Sequence, residues 1–249
     1  MSRTIMTNIA IIIPSRLDAQ RLPNKPLKLI KKKEMILHVH DLAVKAKIGE
    51  VIVATPDQKI LDLVEGHGGK AVITEINHQT GTDRIFEVFK KKLNQKPEII
   101  INLQGDMPNL DPEAIKILTK HMIKNSCDIV TLASDLDLNK ELNDSNICKV
   151  RTNKDITNGD FASALDFYRI SKKNISDYLY HHIGIYAFTN EALMRYVSLK
   201  RSKLEVARKL EQLRALENKM KIEVGYIDAC PLSVDTEEDL LKIKKILEN

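Results

Sequence analysis

Three cations and two X-Pro bonds crowd the stretch Pro14-Ser15-Arg16-Leu17-Asp18-Ala19-Gln20-Arg21-Leu22-Pro23-Asn24-Lys25-Pro26-Leu27, directly after an apolar run. Proline fixes its own φ and restricts the residue before it, so this loop is a stiff arm. Arg grips phosphate oxygens in pairs and Lys acts as a point charge, which suits a polyphosphate; the same composition also serves as a solvated basic loop. A second stretch, Asn77-His78-Gln79-Thr80-Gly81-Thr82-Asp83-Arg84, places Gly81 and Thr82 where a helix starts. Backbone N–H groups there are free to meet an anion or a base edge, although alone the pattern reads more readily as a threonine-capped loop. The third stretch, Leu103-Gln104-Gly105-Asp106-Met107-Pro108, projects the Asp106 carboxylate from a tight turn. Such a carboxylate suits Mg²⁺, which takes one or two protein acids and keeps its other positions for water and phosphate oxygens. Asp235 is the candidate second acid, with the competing reading of an ordinary aspartate before a capped helix. Two acids facing a basic arm describe a metal–triphosphate site.

Elements able to position these residues alternate along the first half of the chain. Ile9 to Ile13 is a continuous β-branched run, as in a strand buried on both faces. A helix is predicted over Met35 to Ala46, a strand over Val51 to Ala54, a helix after Pro56 and a strand over Ala71 to Thr74. Asp83 to Leu93 has a helical apolar face, Ile99 to Leu103 is another buried strand, and Asp111-Pro112-Glu113 opens a helix with cap, proline and first-turn acid in the preferred order. Asp128 to Ala133 is a strand again. This βαβα order predicts an α/β fold with a mostly parallel sheet covered by helices. The second half is less regular, with 134–146 polar and 153–180 mixed. A strand is predicted over Ile183 to Phe188, a helix over Lys203 to Leu216, a strand over Ile222 to Ile227, and a closing helix over Thr236 to Leu247. The simplest division is a single domain, 1–249, with a nucleotide-binding core of about 5–133 and 218–249 and an inserted subregion of about 134–217.

The composition removes several classes. Of 249 residues, 43% are hydrophobic, enough for a sizeable core. The longest apolar run, Ile9 to Pro14, falls far short of the ~18 residues of a spanning helix. With no signal-peptide pattern, a cytoplasmic protein without membrane insertion is expected. Three scattered cysteines fit neither a disulfide framework nor a zinc cluster. The net charge of +5 suits a polyanionic small substrate. Lys31-Lys32-Lys33 and Lys90-Lys91-Lys92 read as solvated faces, and with 4% aromatics and no Trp there is little to stack bases on, so nucleic acid is not expected as a partner. The chain carries neither G-x-x-x-x-G-K-[ST] nor G-x-G-x-x-G, which disfavours P-loop and standard dinucleotide enzymes.

The arm from Pro14 to Leu27 resembles the N-terminal signature of sugar nucleotidyltransferases. His78 to Arg84 and Gln104-Gly105-Asp106 narrow the resemblance to the 3-deoxy-manno-octulosonate (Kdo) cytidylyltransferases, and so do His182-Ile183-Gly184-Ile185-Tyr186, Leu210-Glu211-Gln212-Leu213-Arg214 and Val234-Asp235-Thr236-x-Glu238-Asp239-Leu240. The resemblance implies a Rossmann-like nucleotide-diphospho-sugar transferase fold whose inserted subregion binds the sugar and mediates dimerisation. It implies that CTP and Kdo react to CMP-Kdo and pyrophosphate, for lipopolysaccharide, in a cytoplasmic homodimer with Mg²⁺ as cofactor. Carried over residue by residue, Arg16, Lys25, Asp106 and Asp235 would be catalytic, and Asp106 and Asp235 would hold the metal. Pro14, Ser15, Arg16, Lys25, Thr74, Gly81, Thr82, Gln104 and Asp106 would bind CTP. Arg169, His182, Tyr186, Glu211 and Gln212 would bind the sugar. On a strand, His182 and Tyr186 would face the same side.

The pattern is not complete. Met107 stands where the family has Glu, Arg208 where it has Glu, and Asp166 and Tyr168 replace Tyr and Ser; the stretch from Arg169 to His182 is shorter than usual. These departures keep two alternatives open: a cytidylyltransferase for a related acidic sugar, such as 8-amino Kdo or a nonulosonate, and a non-catalytic nucleotide-binding homologue.

Overall fold

The computed structural model describes residues 7–91, 93, 96–170 and 178–248. In chain order the first half holds β1 (Ile9–Pro14), a 3-10 turn over Lys25–Leu27, the short pair β2 (Leu29–Ile30) and β3 (Lys33–Glu34), α1 (Met35–Ala46), β4 (Glu50–Thr55), α2 (Gln58–Gly66), β5 (Ala71–Ile73), α3 (Gly81–Lys91), β6 (Ile99–Leu103) and α4 (Pro112–Lys124). The second half holds β7 (Ile129–Ser134), β8 (Lys149–Thr152), β9 (Phe161–Tyr168), β10 (Leu179–Thr189), α5 (Asn190–Ser198), α6 (Lys203–Arg208), α7 (Gln212–Glu217), β11 (Ile222–Tyr226) and α8 (Glu237–Glu248). The residues divide into two compact units, the first up to Lys116 and from Pro231 onward, the second from Ile117 to Cys230.

In the first unit, β1 pairs in parallel with β4 and β6, and β4 in parallel with β5. The order is therefore β5-β4-β1-β6. Ile11, Ile12 and Ile13 are wholly buried, as their unbroken β-branched run predicts. The chain builds outward from β1 through β4 to β5 and then crosses to β6 on the other side of β1. That reversal is the kind of switch point beside which open parallel sheets bind ligands, at the carboxyl ends of the strands. The loops leaving β1 and β6 carry the basic arm and Gln104-Gly105-Asp106. A separate apolar cluster, Leu22, Ile30, Met35, Val234, Leu240 and Ile243, anchors the arm and the segment around Asp235 to common neighbours.

The second unit departs from the parallel expectation. Its strands run β10-β7-β11-β9-β8, and β8 also pairs with β10, so the five strands close on themselves. Only β11 and β7 are parallel; β10–β7, β10–β8, β11–β9 and β8–β9 are antiparallel. The fold is thus a mixed α/β fold, parallel in one unit and mainly antiparallel in the other. β8, β9 and α5 occupy stretches where the sequence predicts no element. In β9 the inward positions include Ala162 and Ala164, whose small side chains give little periodic signal. The single helix predicted over Lys203 to Leu216 is two, because Lys209 takes a left-handed conformation (φ 54°) that ends α6. The closing helix starts as predicted: Thr236 Oγ1 accepts from the Asp239 N–H and Asp239 Oδ2 from the Thr236 N–H, a capping box with Asp in the Glu place. Among the described residues no helix is long and apolar enough to cross a membrane.

Candidate functional site

The arm leaving β1 is held from three sides within the first unit. The Ser15 N–H donates to the Ala54 carbonyl, the Leu17 N–H to Asp57 Oδ2 at 2.8 Å, and the Asn24 N–H back to the Leu17 carbonyl. Asn24 sits in the left-handed region (φ 56°), which turns the chain into the 3-10 turn and aims Lys25 inward. Leu22, 1% exposed, is the apolar peg that holds this arrangement.

Lys25 is the electrostatic centre. Its Nζ lies 3.0 Å from Asp106 Oδ2 and 3.0 Å from Asp235 Oδ1, while Arg21 reaches Asp235 Oδ2 at 3.0 Å. Burial works to lower the Lys25 pKa, but the two carboxylates outweigh it and hold the ammonium above its ordinary value. The Val234 N–H donates to the Asp106 carbonyl, so residues 128 positions apart in sequence are fixed side by side. Two carboxylate oxygens thereby converge on one point of positive charge. That donor set fits a hard divalent cation such as Mg²⁺.

These groups line a cavity of about 590 Å³ whose walls include Pro14, Ser15, Arg16, Lys25, Gly81, Gln104, Asp106 and Asp235. Ser15 Oγ is buried in that wall with no hydrogen-bond partner among the described residues, so it is available to a ligand oxygen. At Gly81 a Cβ would lie 3.2 Å from Pro14 Cγ and 3.5 Å from the Gln104 amide, so glycine lets α3 begin close against the cavity. Gln104 is pre-oriented by a buried relay: its Nε2 donates to Asn102 Oδ1 at 2.9 Å, and Asn102 Nδ2 donates to Thr82 Oγ1 at 3.1 Å. Thr82 and Thr74 are both buried behind the wall rather than lining it. Thr74 accepts from Arg84, whose guanidinium also bonds the Glu75 and Ile76 carbonyls. Arg84 and Asn102 were not among the predicted site residues. Met107 is 3% exposed and outside the wall, a core side chain in the place of the family's Glu.

The five sugar-side candidates belong to the second unit. His182 and Tyr186 do share a side of β10, with ring centroids 5.5 Å apart. Between them β10 advances from Ile183 to Tyr186 while β7 advances only from Leu132 to Thr131, a local bulge. His182 Nε2 lies 3.0 Å from Thr131 Oγ1, and burial, with His181 and Arg169 adding, lowers its pKa to about 3. The imidazole is therefore neutral. Burial and then the Glu211 charge raise the Tyr186 phenol far above its ordinary range. Gln212 Nε2 meets Cys148 Sγ at 3.5 Å. Arg169 bonds the Ser145 and Asn146 carbonyls, and the buried Lys149 ammonium donates to the carbonyls of Asp144, Ile147 and Arg169. Lys149 is a second organising residue that sequence reasoning missed. Two of the departures from the family pattern compensate each other: Arg208 Nη1 bonds Asp166 Oδ1 at 2.7 Å. The shortened stretch after Arg169 falls mainly on 171–177, outside the described residues.

A basic arm, convergent carboxylates and a switch-point cavity define a nucleotidyltransferase, and residues 10–222 match the family model described as cytidylyltransferase. The 3-deoxy-manno-octulosonate cytidylyltransferase of Bartonella bacilliformis is 41% identical over 95% of this chain and 97% of its own length. That of Paramagnetospirillum magneticum is 38% identical over 96% and 97%. A solved CMP:2-keto-3-deoxy-manno-octonic acid synthetase complexed with CTP superimposes with a TM-score of 0.87 at 34% identity, covering 97% of this chain and 99% of that one. A 4-diphosphocytidyl-2C-methyl-D-erythritol synthase from Anaerococcus prevotii, 17% identical with a TM-score of 0.65, shares the fold. The chain belongs to the 3-deoxy-manno-octulosonate cytidylyltransferase family.

Proposed function

We propose that the chain transfers the cytidylyl group of CTP to Kdo, giving CMP-Kdo for lipopolysaccharide assembly and releasing pyrophosphate. The observation that carries the reading is the cavity, where Arg16, Lys25, Asp106 and Asp235 stand together, in a chain that matches the family over nearly its whole length. The anomeric hydroxyl oxygen of Kdo bonds to the α-phosphorus as the bond from that phosphorus to the bridging oxygen breaks. Pyrophosphate leaves with the electron pair, and the hydroxyl proton passes to solvent. Catalysis is then mainly positioning and charge stabilisation. Arg16 and Lys25 hold the triphosphate oxygens, the Ser15 hydroxyl donates to one of them, and Gln104, fixed through Asn102, meets the nucleotide. Asp106 and Asp235 would hold Mg²⁺, which when bound acts as a Lewis acid on phosphate oxygens and lowers the pKa of a coordinated hydroxyl. On the sugar side, the neutral imidazole of His182 joins Tyr186, Glu211 and Gln212 in supplying hydrogen-bonding groups, and Arg169 offers its charge to the sugar carboxylate. The reading extends to a cytoplasmic homodimer, which the family resemblance supports and light scattering tests.

The experiment is pyrophosphate release by purified protein with CTP, Mg²⁺ and Kdo, beside sugar-free and EDTA controls. Release that requires all three components is expected. Retained CTP binding without release would favour another acidic sugar first and a non-catalytic nucleotide-binding role second.

A further inference from the structure

The second unit carries a cluster of donor atoms that nucleotidyl transfer does not use. His121 on α4, Cys127 in the loop before β7 and Glu223 on β11 bring a ring nitrogen, a thiol sulfur and a carboxylate oxygen within 4.8 Å of one another. His121 and Cys127 are neighbours in sequence, while Glu223 lies 102 positions from His121 and is brought to them only by the tertiary fold. His121 Nε2 is in direct contact with Glu223 Oε2, and Cys127 is buried.

The surroundings hold the cluster in place. The His121 ring stacks on Phe161, centroids 3.5 Å apart and planes 9° from parallel. Phe161 has room because position 225 is glycine; a Cβ there would lie 2.4 Å from Phe161 ring atoms. His121 Nδ1 meets Asn125 Nδ2 at 3.1 Å, so Nε2 is the nitrogen turned into the cluster. The Lys221 ammonium engages Glu223 Oε1 at 2.7 Å and leaves Oε2 toward His121. Met122 Sδ lies 3.9 Å from Cys127 Sγ, a further soft atom at the edge.

We propose that His121, Cys127 and Glu223 form a binding site for a zinc-class divalent ion, made of residues other than those of the catalytic cavity. One sulfur, one imidazole nitrogen and one carboxylate oxygen make a typical zinc donor set, and three protein ligands leave a fourth position for water. At metal–ligand distances of roughly 2.0–2.3 Å, neighbouring ligands on a tetrahedron stand roughly 3.3–3.8 Å apart. The three donor atoms already lie within 4.8 Å of one another, so side-chain adjustments on the order of an ångström reach that spacing. Thiolate disfavours Mg²⁺, so this site and a carboxylate site select different metals. Burial and the adjacent Glu223 push the Cys127 thiol up to about 11, so a metal entering the site must displace the thiol proton.

Cobalt is the probe, because cobalt bound through sulfur shows a thiolate-to-metal charge-transfer band in the near ultraviolet, whereas cobalt on carboxylates alone does not. Chelator-treated full-length protein is titrated with Co²⁺ and then with Zn²⁺. We expect the band to saturate at one equivalent, to be displaced by Zn²⁺, to persist in Cys230→Ser and to vanish in Cys127→Ser. Zn²⁺ should also raise the melting temperature of the wild type and raise it less in Glu223→Gln. If Cys127→Ser does not fold, the test passes to Glu223→Gln and His121→Gln, in which weaker Co²⁺ affinity supports the site and unchanged affinity overturns it. Absence of the band in the wild type, or its survival in folded Cys127→Ser, overturns the proposal.

Discussion

At the cavity, two carboxylates share one ammonium. Lys25 bridges Asp106 and Asp235, with Arg21 on the other oxygen of Asp235, so altering either acid changes the site without touching the core. Asp106→Asn is expected to lower turnover by at least about a hundredfold, in the range of losing a group that stabilises transition-state charge, with an unchanged circular dichroism spectrum. Near-normal turnover at saturating Mg²⁺ would remove Asp106 from the metal's ligands. His182 yields a pH prediction. Its folded pKa of about 3 lies below the ordinary value of 6.5. As the pH falls through that window the unfolded chain takes up the proton first, so the stability is complete above about 6.5 and lost progressively toward 3. At His181 burial opposes, but Cys230 and Glu141 outweigh it and raise the pKa, which acts in the opposite direction. Melting temperatures at pH 7 and pH 5 should therefore differ less in His182→Asn than in the wild type; an equal difference would exclude His182 as a source of acid sensitivity. Arg16, Lys25, Asp106 and Asp235 stood out by type and spacing only as candidates, beside the readings of a solvated basic loop and an ordinary aspartate before a helix; their roles came from the family resemblance, and the structure brings the four to one cavity. Arg84, Asn102 and Lys149 did not stand out, because a polar residue destined for burial looks the same in sequence as one destined for solvent until its partners are known.

Elements were legible where one residue type persisted. β1 and β6 announce themselves as unbroken apolar runs, and α4 starts where Asp111, whose Oδ1 accepts from the Glu113 N–H, caps it. β9 and α5 were missed, the first through its small inward alanines and the second through a short apolar face of Ala192, Leu193 and Tyr196. The break between α6 and α7 was invisible for a different reason: a left-handed turn is usually marked by Gly or Asn, and here it is Lys209. That residue accepts a conformational cost to end a helix. Lys209→Gly should accordingly stabilise the protein by about 0.5–1 kcal/mol, the scale of the glycine preference at such positions. Denaturant melts with a lower midpoint for the variant would show that the lysine side chain contributes more than its backbone strain costs.

On the scale of the whole chain, the first unit is discontinuous: it takes its residues up to Lys116 and again from Pro231. Its apolar cluster needs Val234, Leu240 and Ile243 beside Leu22, Ile30 and Met35. A chain ending at residue 230 should therefore expose that cluster, bind a hydrophobic dye and show no affinity for CTP; CTP binding like that of the full chain would show that the final segment is dispensable. The backbone bond from Val234 to Asp106 and the bridge from Lys25 to Asp235 join residues 128 and 210 positions apart in sequence. During synthesis, then, an apolar surface around Leu22 waits uncovered until Val234, Leu240 and Ile243 have emerged. No chain stalled before Asp235 can assemble the complete acidic pair, so a nascent chain that already carries the arm and Asp106 still lacks half of the candidate metal site.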